Sequence, residues 1–405
     1  MSSNYSSIRQ ILIVGSGIAG LSAAKAARSQ DDQANILMLS EDGRLPYYRL
    51  RLCEYIGKNA DFHEIEINHE EWFKKNRIMV ELSSKVTAID YSARKVNING
   101  KEYSYDSLVL ATGSKPIMPP FKGKELAGVH TLWTWEDLIK LNKSLQDAKK
   151  AVVIGGGLLG LEAAYKISEM GIKVSLVEGM ARLLPKQLDE EGSEVFKSKV
   201  ESLGISVYCG KTVTAFEGNN GFVEQVHMAD GTILEADVVI VTVGVAPNTA
   251  LCQNSGINME RFIIVNEKME TSIKDIYAAG DVAIFNGRWY GQWSVANKQG
   301  QVAGINAAGG DASYNATELP YILATMGTRV VCAGDTGAGQ TEISEDYEIE
   351  QRIDKEQFIY SKLVFRNGLF AGFMLVGEPA KAFNKLMPLI NTSANTDTIY
   401  NILYK

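Results

Sequence analysis

Apolar runs of four to six residues, glycine turns and helix-length stretches alternate along this chain. Residues 10–41, QILIVGSGIAGLSAAKAARSQDDQANILMLSE, predict a strand, a tight turn, a helix and a second strand, closed by the acid Glu41. The same order returns at 151–178, AVVIGGGLLGLEAAYKISEMGIKVSLVE, where Gly171 stops the helix, Lys173 to Val177 forms the next strand and Glu178 follows. Val109 to Gly113 and Ile276 to Asp281 read as buried strands ending in small-residue turns, and Val238 to Val243 as another strand that Gly244 ends. An Ala- and Gly-rich helix begins after Gly291 and runs to about Ala308. Near the end, Tyr360 to Phe365 and Leu369 to Val376 flank Asn367-Gly368, a hairpin signal because Asn-Gly favours a two-residue turn. A helix from Pro379 to about Ile390 and a loop or extended chain over NTSANTDT complete the pattern.

The glycines carry chemistry as well as geometry. Gly15, Gly17 and Gly20 have G-x-G-x-x-G spacing directly after an apolar strand. Gly15 permits the turn, Gly17 lets a pyrophosphate approach the backbone, and Gly20 lets helix and strand pack closely. Ile18 and Ala19 then lie in the first helical turn, whose amides face the phosphates. Glu41, 21 residues past Gly20, can accept hydrogen bonds from an adenosine ribose. Gly155, Gly157 and Gly160 repeat the spacing, with Glu178 standing 18 residues beyond Gly160. A carboxylate there pairs with a free ribose 2'-hydroxyl and repels a 2'-phosphate, which favours NADH over NADPH unless Arg182 swings in. Neither copy has lost a glycine or its acid, so two dinucleotides are expected, and the simplest chemistry joining them is hydride transfer between a nicotinamide and a flavin.

The 405 residues correspond to two or three domains, and 45% hydrophobic against 22% charged residues describes an ordered globular chain. A formal charge of -7 gives no general attraction to nucleic acid or anionic lipid. Cys53, Cys209, Cys252 and Cys332 are scattered, without a zinc or iron-sulfur spacing, so no metal is expected. MSSNYSSIRQ lacks the n- and h-regions of a signal peptide, and Val238 to Met259 is too interrupted to span a membrane; a cytoplasmic protein with reduced thiols is expected.

Both glycine units, Leu110-Ala111-Thr112-Gly113-Ser114 and the stretch Thr271 to Asp281 resemble the two-dinucleotide flavoprotein family over roughly residues 8–315. That family includes glutathione reductase-like enzymes, ferredoxin reductases, NADH oxidases and NADH:rubredoxin oxidoreductases. The resemblance implies an α/β fold with two Rossmann-like three-layer nucleotide-binding domains and a small α+β C-terminal domain. It divides the chain into an FAD domain at 1–117 and 246–315, an inserted NAD domain at 118–245 and a C-terminal domain at 316–405. It implies FAD and NADH as cofactors, with Ala111, Thr112, Gly113 and Gly280 at the FAD, Asp281 on its ribityl chain, and Gly244 before the return linker Val245-Ala246-Pro247-Asn248.

Several residues keep two readings. Asp281 could instead cap a following helix. Trp293 is either a cofactor contact or a core aromatic, on a helix whose N-terminal amides could stabilise charge at flavin N1-C2=O. Glu162 either faces the nicotinamide carboxamide and flavin, as the resemblance implies, or is an exposed helix glutamate. Aligned on Pro46-Tyr47, the family's redox cysteine falls at Leu50, and Cys53 lies one helical turn later, where a structural thiol is the better reading.

The Pro-Tyr-Tyr-Arg-x-x-Leu pattern at 46–52 looks most like the NADH:rubredoxin oxidoreductases and the flavin portion of NADH-dependent nitrite reductases. The implied partner is rubredoxin or a similar acidic redox protein docked on a basic rim, with Arg44, Arg49, Arg51, Lys362, Arg366, Lys381 and Lys385 as candidates. Arg49, at a flavin-proximal turn, could also stabilise the anionic reduced flavin. Direct oxidase or disulfide reductase activity, service to a ferredoxin or nitrite system, and a redox-sensing protein without enzymatic role are the competing readings. Whether the C-terminal region covers the flavin or joins two copies is left open.

Overall fold

The computed structural model describes residues 8–59, 61–316, 319–337 and 346–404. The described residues form two units, one from 8–51, 61–115 and 245–316, the other from 52–59, 116–244, 319–337 and 346–404.

The first unit is built on a five-stranded parallel sheet in the order Ile276–Ala278, Ser107–Leu110, Gln10–Val14, Asn35–Leu39, Ile78–Glu81. The central strands are apolar after their first residue because both faces are covered. The late segment therefore returns to the first sheet, as the resemblance implied. Helix Ile18–Gln30 packs on helix Trp293–Ala307 at unusually close range. A Cβ on Gly300 would sit 2.2 Å from the Ala19 carbonyl oxygen, and one on Gly304 2.1 Å from that of Ala23. Only glycine admits this approach, which explains the small-residue composition of the second helix.

The second unit repeats the plan: Ser206–Cys209, Lys173–Glu178, Lys150–Ile154, Val238–Val241 and Val129–His130 pair in parallel in that order. Its C-terminal part is an antiparallel sheet ordered Tyr321–Thr325, Thr328–Gly334, Leu369–Val376, Ile359–Arg366, Tyr347–Asp354. The expected hairpin is present, with Asn367 and Gly368 at φ 53° and 74°. Asp189, the N-cap of helix Glu190–Glu201, ties this sheet to the helix: one oxygen accepts from the Gly192 amide, the other from Tyr360 Oη at 2.6 Å and Lys362 Nζ at 2.9 Å. Lys362 is thus a buried ion-pair partner rather than a rim charge, and Arg366 and Lys381 pair with Asp335 and Glu378.

Two expectations for the last residues are corrected. The helix over 379–390 is broken into a 3-10 turn Glu378–Ala382, a single α-turn Phe383–Leu386 and a second 3-10 turn Met387–Leu389, because Pro388 cannot donate an i to i-4 bond. The NTSANTDT segment, expected as loop, runs into helix Thr396–Tyr404, started by Asn395 Oδ1 accepting from the Thr398 amide at 2.9 Å. Ile399 and Leu403, one turn apart, bury that helix against the sheet core.

Candidate functional site

Each parallel sheet ends in a glycine turn with the same internal logic. Gly15 and Gly155 adopt φ +111° and +112°. A Cβ on them would meet the carbonyl oxygens of Ala111 at 2.1 Å and Thr242 at 2.5 Å, so each turn lies directly on the neighbouring strand's end. A Cβ on Gly20 would lie 2.0 Å from the Gly15 oxygen, and one on Gly160 1.9 Å from that of Gly155. These four positions need glycine for the fold itself. Gly17 and Gly157 differ: each is the N-cap of its helix, at φ -67° and -85°, and a Cβ on either would meet nothing within 4 Å. Neither cap uses a side chain, and neither first turn holds an acid. The amides of Ile18, Ala19 and their counterparts thus border open space, which would suit a phosphate and which a side chain would block. The chain fits a dinucleotide pyrophosphate at both places.

In the second unit the Glu178 carboxylate is already oriented. Its Oε2 accepts from the Gly156 amide at 2.6 Å and its Oε1 from the Met180 amide at 2.7 Å. Arg182 is turned to the carbonyls of Leu188 and Pro185 at 3.1 and 3.3 Å, and does not neutralise it. Gly244, at φ +106°, ends the segment after Val238–Val241. Glu41 in the first unit extends into solvent and pairs with Lys85 at 2.5 Å.

Asp281 is not a helix cap: strand Ala283–Phe285 follows it, and the next helix begins at Trp293. Its carboxylate accepts from Ser114 Oγ at 2.6 Å and lines a crevice with Gly280, Gln292, Val295 and Gln299. Burial raises its pKa, opposed by the Ser114 bond and the nearby Arg49 charge. Gly280, at φ +80°, donates its amide to Gln299 Oε1 at 2.9 Å, fixing the turn that presents Asp281. Trp293, the first residue of its helix and partly exposed, stacks on Tyr48 with centroids 5.9 Å apart, while Arg49 lies over Tyr47 and 3.9 Å from Asp42. Thr112 and Gly113 are latched to the return linker. Asn248 receives a bond from Thr112 Oγ1 and donates its side-chain and backbone N-H groups to the carbonyls of Thr112 and Gly113. Sequence reasoning missed Tyr48, Ser114, Asn248 and Gln299; the doubled tyrosine at 47–48 and the Ser after Gly113 were the available signals.

All four cysteines are free thiols. Leu50 is 65% exposed, whereas Cys53 is 4% exposed on the 3-10 turn Arg49–Tyr55. Burial, then the Glu162 carboxylate, pushes the Cys53 thiol well above its ordinary range, so it stays protonated. Glu162, the carboxylate acting on it, stands on helix Leu158–Glu169. Glu162 is itself pushed up to about 7, chiefly by burial and further by Glu54, against Cys53 and Lys166.

That position has a measurable sign. The folded chain binds the Glu162 proton more tightly than the unfolded chain does, so the cost of ionising it is absent below the unfolded pKa near ~4.3 and complete above about 7. At ~1.4 kcal/mol per pH unit the full cost is about 4 kcal/mol, of which about 3 kcal/mol accrues between pH 4.5 and pH 8. Glu162→Gln should therefore gain on the parent by about that much between pH 4.5 and pH 8, read from urea midpoints. Parallel pH dependence in the two proteins would refute the buried glutamate.

Residues 9–300 match the family described as pyridine nucleotide-disulphide oxidoreductase. The chain is 39% identical over 394 residues to the NADH-rubredoxin oxidoreductase of Clostridium acetobutylicum, covering 97% of each. The crystal structure of NADH:rubredoxin oxidoreductase from that organism superposes with a TM-score of 0.79 at 32% identity, covering 98% of this chain and 100% of the other. A ferredoxin reductase from Rhodopseudomonas palustris gives a TM-score of 0.86 at 25% identity, covering 98% and 100%.

Proposed function

Because the chain belongs to the pyridine nucleotide-disulphide oxidoreductase family and is an oxidoreductase that uses FAD and NAD(H), we propose that it passes electrons from NADH to rubredoxin or a similar small acidic redox protein. The observation that carries this reading is the state of the thiols. Leu50 stands where the family's thiol reductases have their cysteine, and the neighbouring Cys53 is a buried, protonated thiol. With no thiolate available, the chain itself offers no onward electron carrier, and an external acceptor would be required. The end-to-end likeness to a rubredoxin reductase supports the same acceptor class.

When bound, FAD supplies the two-electron chemistry that links NADH to the acceptor. The chain's residues bind and orient. Gly15, Gly17, Gly20, Ile18 and Ala19 hold the FAD pyrophosphate, Glu41 its adenosine ribose, and Ala111, Thr112, Gly113, Gly280 and Asp281 its remaining length. Trp293 and Tyr48 form an aromatic wall, the free amides of the Trp293–Ala307 helix favour negative charge on the ring, and Arg49 adds a positive one. Gly155, Gly157, Gly160, Gly244 and Glu178 hold NADH, with Glu162 near the nicotinamide. No side-chain nucleophile takes part. The domain limits follow: FAD at 1–117 and 246–315, NAD at 118–245, and a C-terminal domain at 316–405.

Docking falls to the segment carrying Arg44, Arg49 and Arg51, after the burial of Lys362 removes it from the rim. An acidic carrier should be steered there, and salt should weaken that steering over ~10 Å at 0.1 M. Arg51→Glu is expected to slow NADH-dependent rubredoxin reduction several-fold at low salt and flatten its salt response, while flavin bleaching by NADH stays near the parent rate. The steady-state panel that tests the function sets rubredoxin against a ferredoxin, oxygen and a disulfide. Fast turnover with rubredoxin supports the reading, and preference for oxygen or a disulfide overturns it. Unchanged rubredoxin kinetics in the variant would remove this segment from the docking surface.

A further inference from the structure

Two of the chain's four histidines converge on one buried carboxylate in a part of the first unit that the dinucleotide chemistry does not use. His63 Nδ1 lies 2.9 Å and His69 Nδ1 2.6 Å from Glu66 Oε2, with the two rings 6.1 Å apart. The Glu66 side chain is 6% exposed, against 72% for His63 and 63% for His69. A buried acid thus forms the floor, and two solvent-facing imidazoles form the walls.

The backbone holds this arrangement from both sides. Asp61 caps the 3-10 turn Phe62–Glu64 by accepting from the His63 amide at 3.0 Å. Glu66 forms an antiparallel bridge with Tyr47, flanked by bonds from the Tyr48 amide to the Ile65 oxygen at 2.8 Å and from the Ile67 amide to the Pro46 oxygen at 3.0 Å. His69 is the N-cap residue of helix Glu70–Lys75, and its side chain makes no capping bond there. Each histidine ring thus turns its Nδ1 to Glu66, and the main chain fixes the three residues before any ligand arrives.

We propose that His63, Glu66 and His69 bind a divalent transition-metal ion of the zinc class. Two imidazole nitrogens and one carboxylate oxygen suit borderline cations, while magnesium and calcium prefer sets made of oxygen alone. Ligands of a tetrahedral zinc ion at ~2.0 Å lie about 3.3 Å from one another. The observed 2.9 and 2.6 Å separations require each ring to back away by less than an ångström, which its exposure permits. The ion takes the place of the imidazole protons now directed at Glu66, and its open positions face water.

The test is calorimetric titration of the FAD-loaded full chain with zinc chloride in a non-chelating buffer, alongside magnesium chloride. One zinc ion per chain, a raised Tm and no heat with magnesium are expected. His69→Ala and Glu66→Gln should each lower zinc affinity by at least about 100-fold, since even outer-shell partners of a metal are worth 10–100-fold. His63→Asn alters a solvent-facing ring, so its loss of zinc binding cannot be ascribed to misfolding. Zinc affinity unchanged in His63→Asn and His69→Ala would place the ion elsewhere, on a cysteine for example, and overturn the proposal. Equal binding of magnesium would overturn it as well.

Discussion

Gly17→Val should give a folded protein without yellow colour. Its backbone, at φ -67° and ψ -176°, is open to any residue, and a Cβ there meets no atom within 4 Å. The valine side chain would occupy the space before the uncapped amides of helix Ile18–Gln30, where the proposed function puts the FAD pyrophosphate. Charge-assisted hydrogen bonds contribute about 1.5–3 kcal/mol each. Losing two of them lowers FAD affinity by more than about 100-fold. Gly20→Val is the contrast: its Cβ would lie 2.0 Å from the Gly15 oxygen, so it damages the fold and the site together. Gly157→Val is the counterpart in the second unit, expected to keep FAD and lose bleaching by NADH. Absorbance near 450 nm and thermal melts of the purified variants separate these outcomes. A Gly17→Val protein as yellow as its parent would remove the pyrophosphate from this turn.

Glu178 carries the second large effect. Its carboxylate is held by the Gly156 and Met180 amides, and Arg182 is occupied with carbonyls of its own loop. A 2'-phosphate brought to within ~4 Å of that charge meets repulsion of about 4 kcal/mol at an effective dielectric of ~20. The kcat/KM for flavin reduction should therefore be at least about 100-fold lower with NADPH than with NADH. Glu178→Arg should reverse the preference, by removing the hydroxyl acceptor and supplying a guanidinium for the phosphate. Stopped-flow bleaching with each coenzyme measures both proteins. Equal efficiency of NADPH with the parent would strip Glu178 of its selecting role.

What the sequence made legible was local. Strand, glycine turn, helix and acid are encoded within about thirty residues, so the strands and glycine-started helices at residues 10–39 and 150–178 were readable in order. The return of Ile276–Ala278 to the first sheet was readable only through the resemblance, since nothing local pairs it with Ser107–Leu110. Contacts made between distant segments were hidden. The Asn248 latch on Thr112 spans 136 residues, and the stack of Tyr48 on Trp293 joins a 3-10 approach to a helix start. The Asn395 cap was local but lay in a polar run that resembles loop, and it outweighed that composition because Ile399 and Leu403 had a core to enter. His63-x2-Glu66-x2-His69 is visible in the sequence, yet the spacing alone does not reveal that the glutamate is buried.

The account rests on FAD being the sole electron store between NADH and the carrier, with Cys53 a buried, protonated bystander thiol. Anaerobic reductive titration of the FAD-loaded protein tests this directly. Two electrons per FAD are expected, in the parent and equally in Cys53→Ser. Four electrons per FAD in the parent, falling to two in Cys53→Ser, would contradict it and make the thiol a redox centre.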